Sequence, residues 1–217
     1  MFLLILALLV SLVGELSLSA HKTPTNGILP PAMPVLISML RGVNLARHKR
    51  IKMDVLRALY LSLKLEDPRT YVQSGNVIFR TKEKNTAQLA RKIKDAIARK
   101  FGFRAEVILR TPEEFRKAIA ANPFAKRRGL EPGKLLVTFL ASEPAADARS
   151  RLLALKPYPE ELHLIGRELY IYFPNGAGRS KLAWASLAKM LGTDGTARNW
   201  NSVMNMLQIA EEMEGSD

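Results

Sequence analysis

The chain has 217 residues and 47% hydrophobic content, enough apolar side chain for one core or two small ones. Its 33 Lys and Arg against 20 Asp and Glu leave a formal charge of +13, which favours anionic partners where the charges cluster and serves solubility where they spread over every face. The absence of cysteine excludes disulfides, thiol catalysis and Cys-ligated metal sites, and His21, His48 and His163 stand in no metal-ligand spacing, so neither a metal nor a cofactor is expected.

Phe2 to Val13 is apolar apart from Ser11 and leads into small residues ending at Ala20, the look of a signal-peptide core. No Lys or Arg precedes it, and it falls short of the ~20 residues that span a bilayer, so no membrane span is expected. His21 to Pro31 has linker composition, and Met33 stands directly before the first strand. We read residues 1–32 as a leader or an artefactual extension of a cytoplasmic protein that starts at or near Met33. Export is the alternative, if residues 1–20 are a true signal.

From Met33 strands and helices alternate. Val35 to Leu40 reads as a strand, and Met53 to Leu63 carries apolar residues at helical spacing. Thr70 to Gln73 and Val77 to Arg80 flank Ser74-Gly75-Asn76 as a hairpin. Asn85 opens a helix to Phe101 with Leu89, Ile93, Ile97 and Phe101 at four-residue steps, and Phe103 to Leu109 is a strand. That order, β-α-β-β-α-β, predicts an α+β fold whose first lobe, residues 33–110, is ferredoxin-like with both helices on one face of an antiparallel sheet.

Residues 111–217 predict a second α+β lobe. Thr111-Pro112-Glu113-Glu114 has the signature of a capped helix start. Leu135 to Leu140 follows as a strand, Glu143 to Leu155 as a helix, and Leu162 to Ile165 with Leu169 to Phe173 as a hairpin around Gly166. Ser180 to Leu191 reads as a helix with Ser180 as its N-cap, and Asn201 to Glu214 as a final helix behind Asn199. The second lobe thus repeats the element order of the first without its last strand, and no sequence repeat accompanies that likeness.

Four polar clusters and one further basic run are candidates for binding. Arg41-Gly42-Val43-Asn44 follows the first strand and opens a basic loop through Lys52, and Lys126-Arg127-Arg128 is a second basic run. Gln73, Ser74 and Asn76 offer amides and a hydroxyl at the hairpin tip. Gly176-Ala177-Gly178-Arg179-Ser180-Lys181 fits neither the Walker pattern nor the dinucleotide fingerprint, yet Arg179 and Lys181 beside a helix start would attract an anion. Arg198, Asn199 and Trp200 form the last cluster, with Trp200 able either to stack on a base or to plug the core.

In this order Leu40-Arg41-Gly42-Val43-Asn44, Tyr71-Val72-Gln73-Ser74-Gly75-Asn76-Val77-Ile78-Phe79, Asn122-Pro123-Phe124, Tyr172 through Leu182 and Thr196-Ala197-Arg198-Asn199-Trp200 resemble the bacterial family known as domain of unknown function 1697, over residues 33–213. The resemblance implies an α+β fold with a ferredoxin-like part and no established activity. From charge and loop chemistry the expected function is binding of a phosphorylated or anionic ligand, nucleic acid or a phosphorylated small molecule. Arg41, Arg179, Lys181 and Arg198 would supply charge; Asn44, Gln73 and Asn199 would supply polar contacts. The alternatives are an enzyme acting on a small anionic metabolite with Asp194 as base, and a protein-interaction module.

Overall fold

The computed structural model describes residues 33–44, 49–155 and 159–216; the leader and the part of the basic loop holding Arg47 and His48 lie outside them. The first sheet contains β1 (Val35–Leu40), β2 (Glu66–Tyr71), β3 (Asn76–Arg80) and β4 (Val107–Arg110). Its order is β2-β3-β1-β4, antiparallel throughout, which is compatible with the ferredoxin-like expectation.

Both helices of this lobe cover the same face of the sheet. In α1 (Met53–Ser62) Leu56, Leu59 and Tyr60 are buried, and in α2 (Thr86–Phe101) Leu89, Ile93, Ala96 and Ile97 are. They pack on Leu36, Leu40, Val77 and Phe79, the residues that alternate onto that side of β1 and β3. Helix α2 starts where the Asn85 side chain accepts the Gln88 N–H at 3.0 Å, and it ends at Gly102 in the left-handed region.

The second sheet contains β5 (Leu135–Leu140), β6 (Glu161–Ile165), β7 (Glu168–Tyr172) and β8 (Gly195–Asn199), in the order β6-β7-β5-β8. Helices α4 (Ala148–Leu153) and α5 (Trp184–Leu191) cover the face carrying Leu140, Leu169 and Ile171. The remaining faces of the two sheets, with Ile37, Met39 and Ile78 on one and Val137, Phe139 and Tyr170 on the other, share a single core. Helices α3 (Pro112–Ala120) and α6 (Trp200–Glu214) contribute Phe115, Val203, Met206 and Ala210 to it. Phe115 stacks on Phe139 at 4.8 Å between ring centroids, and Tyr170 donates its hydroxyl to the Ala118 carbonyl at 2.6 Å.

The strand registers superimpose one sheet on the other. Leu40 lies opposite Val107 and Leu140 opposite Gly195; Met39 lies opposite Asn76 and Phe139 opposite Glu168. Ser38 therefore corresponds to Thr138, Asn76 to Glu168, and Arg110 to Arg198. The residue after each arginine caps a helix. Thr111 caps α3 in a complete capping box with Glu114, and the Asn199 side chain accepts the Asn201 N–H at 3.0 Å to cap α6.

Three expectations for the second lobe change. Its fourth strand exists: β8 escaped a search for apolar alternation because its buried side chains are Thr196 and Arg198. Helix α4 is limited to Ala148–Leu153. The helix expected from Ser180 begins only at Trp184: Ala177–Arg179 is a 3-10 turn, and Ser180 is extended with its Oγ accepting the Leu182 N–H at 3.0 Å. Arg179 and Lys181 accordingly do not sit at a helix N-terminus. In the first lobe β2 starts earlier than expected, at Glu66, and β4 begins at Val107 rather than Phe103. Among the described residues no helix is long and apolar enough to cross a membrane.

Candidate functional site

The ends of β1 and β8 meet where the two lobes touch, and Arg198 joins them. It projects from β8, is 7% exposed, and donates across to the first lobe: Nη2 to the Leu40 carbonyl at 2.7 Å and the Ser74 carbonyl at 3.3 Å, Nε to Asn76 Oδ1 at 2.5 Å. Nη1 donates to Thr196 Oγ1 at 2.7 Å and the Ala197 carbonyl at 2.8 Å. All five N–H groups of the guanidinium are thereby used. Burial pushes it down to about 10, below its ordinary value, and no carboxylate among the described residues pairs with it.

Its counterpart is Arg110, whose Nη2 donates to the Leu140 carbonyl at 2.7 Å. There Glu168 takes the place of Asn76, 3.5 Å from Arg110 Nε. Burial lowers Arg110 and raises the Glu168 carboxyl above its ordinary value, outweighing the attraction between them. Each lobe thus lends an arginine to the last carbonyl of the other's first strand, and among the described residues only the Arg110 site carries a carboxylate partner.

Beside Arg198 lies a cavity of about 580 Å³. One wall is sheet and helix of the second lobe, with Thr138, Leu140, Leu169, Leu187 and Leu191; the other is the β1 end and hairpin tip of the first, with Leu40, Arg41, Val43 and Ser74. Gly195 lies on the floor, where a Cβ would come within 2.8 Å of Thr138 Cγ2 and 3.0 Å of Leu140 Cδ2. Thr138 Oγ1 is buried with no hydrogen-bond partner among the described residues.

Val72 and Trp184 line the cavity while staying 52% and 43% exposed, which puts them at its mouth, one from each lobe. Val72 also has φ of 47°, a conformation costly for a β-branched side chain. Arg41, 40% exposed, lines the same cavity and forms an ion pair with Asp194. Among the described residues lining the cavity, Arg41 and Arg198 are the ionisable ones.

Of the residues selected from sequence, Arg41, Ser74, Arg198 and Asn199 line this cavity. Several polar groups are already committed to the fold. Asn44, at φ 57°, donates Nδ2 to the Gln73 carbonyl at 2.7 Å and the Ile51 carbonyl at 3.0 Å, while Oδ1 accepts the Ile51 N–H at 2.8 Å, so it ties the basic loop to the hairpin. Asn76 is fully buried and donates to the Tyr71 carbonyl and Ser74 Oγ while receiving Arg198. Asn199, besides capping α6, donates Nδ2 to the Gly133 carbonyl at 2.8 Å.

Gln73 is exposed at the hairpin tip, and Trp200 packs against the shared core. Arg179 and Lys181 are exposed and, with Ser180, lie outside the cavity lining. Arg127 of the second basic run pairs with Glu161 at 2.5 Å and lies over the Tyr172 ring. Sequence reasoning missed Val72, Thr138, Trp184 and Gly195, whose only signal is a second tryptophan at the start of a short helix.

No curated protein matches the chain. Among solved structures it is similar to that of the conserved bacterial protein SP0830 from Streptococcus pneumoniae, at 22% identity and a TM-score of 0.61 over 83% of this chain and 99% of that one, a likeness of fold. The sequence model of the family described as "Protein of unknown function (DUF1697)" matches residues 33–170, and the chain belongs to that family.

Proposed function

We propose that this protein binds a small organic anion with an apolar body in the cavity between its lobes. The observation that carries the reading is the pairing of apolar walls with Arg41 in one cavity, above an arginine that no carboxylate among the described residues neutralises. A volume of about 580 Å³ suits a small molecule. Arg198 has no donor left for a ligand but contributes positive potential from below; Arg41 presents a planar fork at the mouth, where a ligand carboxylate or phosphate would share it with Asp194. Trp184 and Val72 would close over the apolar part.

The lining supports binding rather than acid–base catalysis, since its ionisable members among the described residues are two arginines, which serve as hydrogen-bond donors and carry no acceptor. A nucleic-acid ligand would instead use the exposed cations, including Arg179 and Lys181, spread over the surface. A thermal-stabilisation panel of small carboxylates, sugar phosphates, nucleotides and an oligonucleotide separates these readings. Saturable stabilisation by a small anion that Arg41→Ala abolishes is the expected result. Stabilisation by the oligonucleotide alone, steeply salt-dependent and indifferent to Arg41→Ala, would overturn it in favour of nucleic acid.

A further inference from the structure

The charge at the cavity mouth is a pair, and its two members come from different lobes. Arg41 directly follows β1, Asp194 directly precedes β8, and Arg41 Nη1 donates to Asp194 Oδ1. Thr193 and Gly195, on either side of Asp194, line the cavity as Arg41 does. Both backbones are pinned: the Arg41 N–H donates to the Glu106 carbonyl at 2.9 Å, and the Asp194 carbonyl accepts the Ala141 N–H at 2.8 Å. Their side chains are nevertheless 40% and 54% exposed, so a ligand can reach each of them.

That single contact leaves most of both groups unused. Unlike Arg198, Arg41 has Nε and Nη2 donating to nothing among the described residues, and Asp194 Oδ2 accepts from nothing there. A ligand with only a negative charge meets a conflict at this mouth, because what it gains from Arg41 it partly loses to repulsion by the touching Asp194 carboxylate. A ligand with only a positive charge meets the reverse, with the buried Arg198 guanidinium adding to its repulsion. A carboxylate beside an ammonium satisfies the pair in full, the first on the free edge of the Arg41 fork and the second on Asp194 Oδ2. Because Arg41 and Asp194 touch, the two ligand charges have to be neighbours as well, as they are on the α-carbon of an amino acid.

We propose, resting on the anion-binding reading above, that the ligand is a free α-amino acid with a large apolar side chain. Its carboxylate takes Arg41, its ammonium takes Asp194, and its side chain enters the cavity between Leu140, Leu187 and Leu191, with Trp184 at the rim.

Calorimetric titration of the full chain with L-phenylalanine, 3-phenylpropanoate and 2-phenylethylamine tests this, since the three share a ring and differ in their charged groups. Phenylalanine should bind about tenfold more tightly than either, the value of one hydrogen bond to a charged group. Glycine, with both charges and no side chain, should bind at least about tenfold more weakly than phenylalanine. Asp194→Asn should bring phenylalanine down to the affinity of 3-phenylpropanoate, whose own binding reports that the cavity of the variant is intact. Equal or tighter binding of 3-phenylpropanoate by the native chain, or a preference for phenylalanine that survives Asp194→Asn, would overturn the amino-acid proposal while Arg41-dependent binding of the acid upheld the anion site. Glycine binding as tightly as phenylalanine would overturn it too. If neither the amino acid nor any small anion, inorganic phosphate included, binds saturably, both readings fall.

Discussion

Gly75 and Gly42 provide a matched pair of perturbations at the hairpin that shapes the cavity. Both have φ in the left-handed region, 75° and 72°, so alanine at either site incurs the backbone cost, roughly 1–2 kcal/mol. Their surroundings differ. A Cβ on Gly42 meets nothing within 4 Å, whereas one on Gly75 would stand 2.5 Å from Val43 Cγ2 and 2.8 Å from Leu40 Cβ.

Neither neighbour can withdraw cheaply. Leu40 and Val43 are 1% and 2% exposed, Val43 is branched at Cβ, and the Leu40 N–H donates to the Gly75 carbonyl at 2.9 Å. Overpacking of that kind adds roughly 1–3 kcal/mol. Gly75→Ala should therefore lose about 2–5 kcal/mol in urea denaturation at neutral pH and Gly42→Ala only about 1–2, with unchanged m-values. Losses within about 0.5 kcal/mol of each other would refute the packing argument and leave φ alone as the cause.

Arg198→Lys keeps the charge but loses the fork that reaches Leu40, Ser74 and Asn76, so about 2–4 kcal/mol of stability should disappear in urea unfolding; a loss under about 0.5 kcal/mol would show that those contacts are dispensable. The Glu168 carboxyl titrates above its ordinary 4.5 in the folded chain, so the native state holds its proton longer than the unfolded one. Its contribution to stability should therefore fall as pH rises from about 4.5 through the folded value, and Glu168→Gln should remove that slope from a pH series of melting curves. Trp184→Ala should weaken small-anion binding severalfold while moving stability by less than about 1 kcal/mol, because the indole is 43% exposed; a large stability loss would assign it to the core instead.

Much of the scaffold was legible because its signals are local. The four-residue steps of α2, the Thr111 to Glu114 box and the Asn199 cap all act within a turn or two of helix, and the structure repeats them. Strand β8 was not legible, since Gly-Thr-Ala-Arg-Asn has no apolar alternation; its buried Thr196 and Arg198 are satisfied by groups more than a hundred residues away, including the Leu40 carbonyl. As a cation in a polar cluster Arg198 suggests a ligand, whereas its five donors all turn inward to the fold. The cavity itself hides in sequence because Val72, Thr138 and Trp184 have the composition of ordinary core.

The exchange of Arg110 and Arg198 between lobes has the form of an isologous contact, in which residue i of one copy meets j of the other and j meets i. Within a single polypeptide, the chain carries the bonding pattern of a two-fold dimer without the strict equality that identical subunits impose. Ser38 bonds Tyr60 of its own lobe, whereas its counterpart Thr138 lines the cavity; Glu168 balances one arginine, and a neutral asparagine receives the other. A symmetric homodimer would have to make both sites alike, whereas a single chain can differ between them.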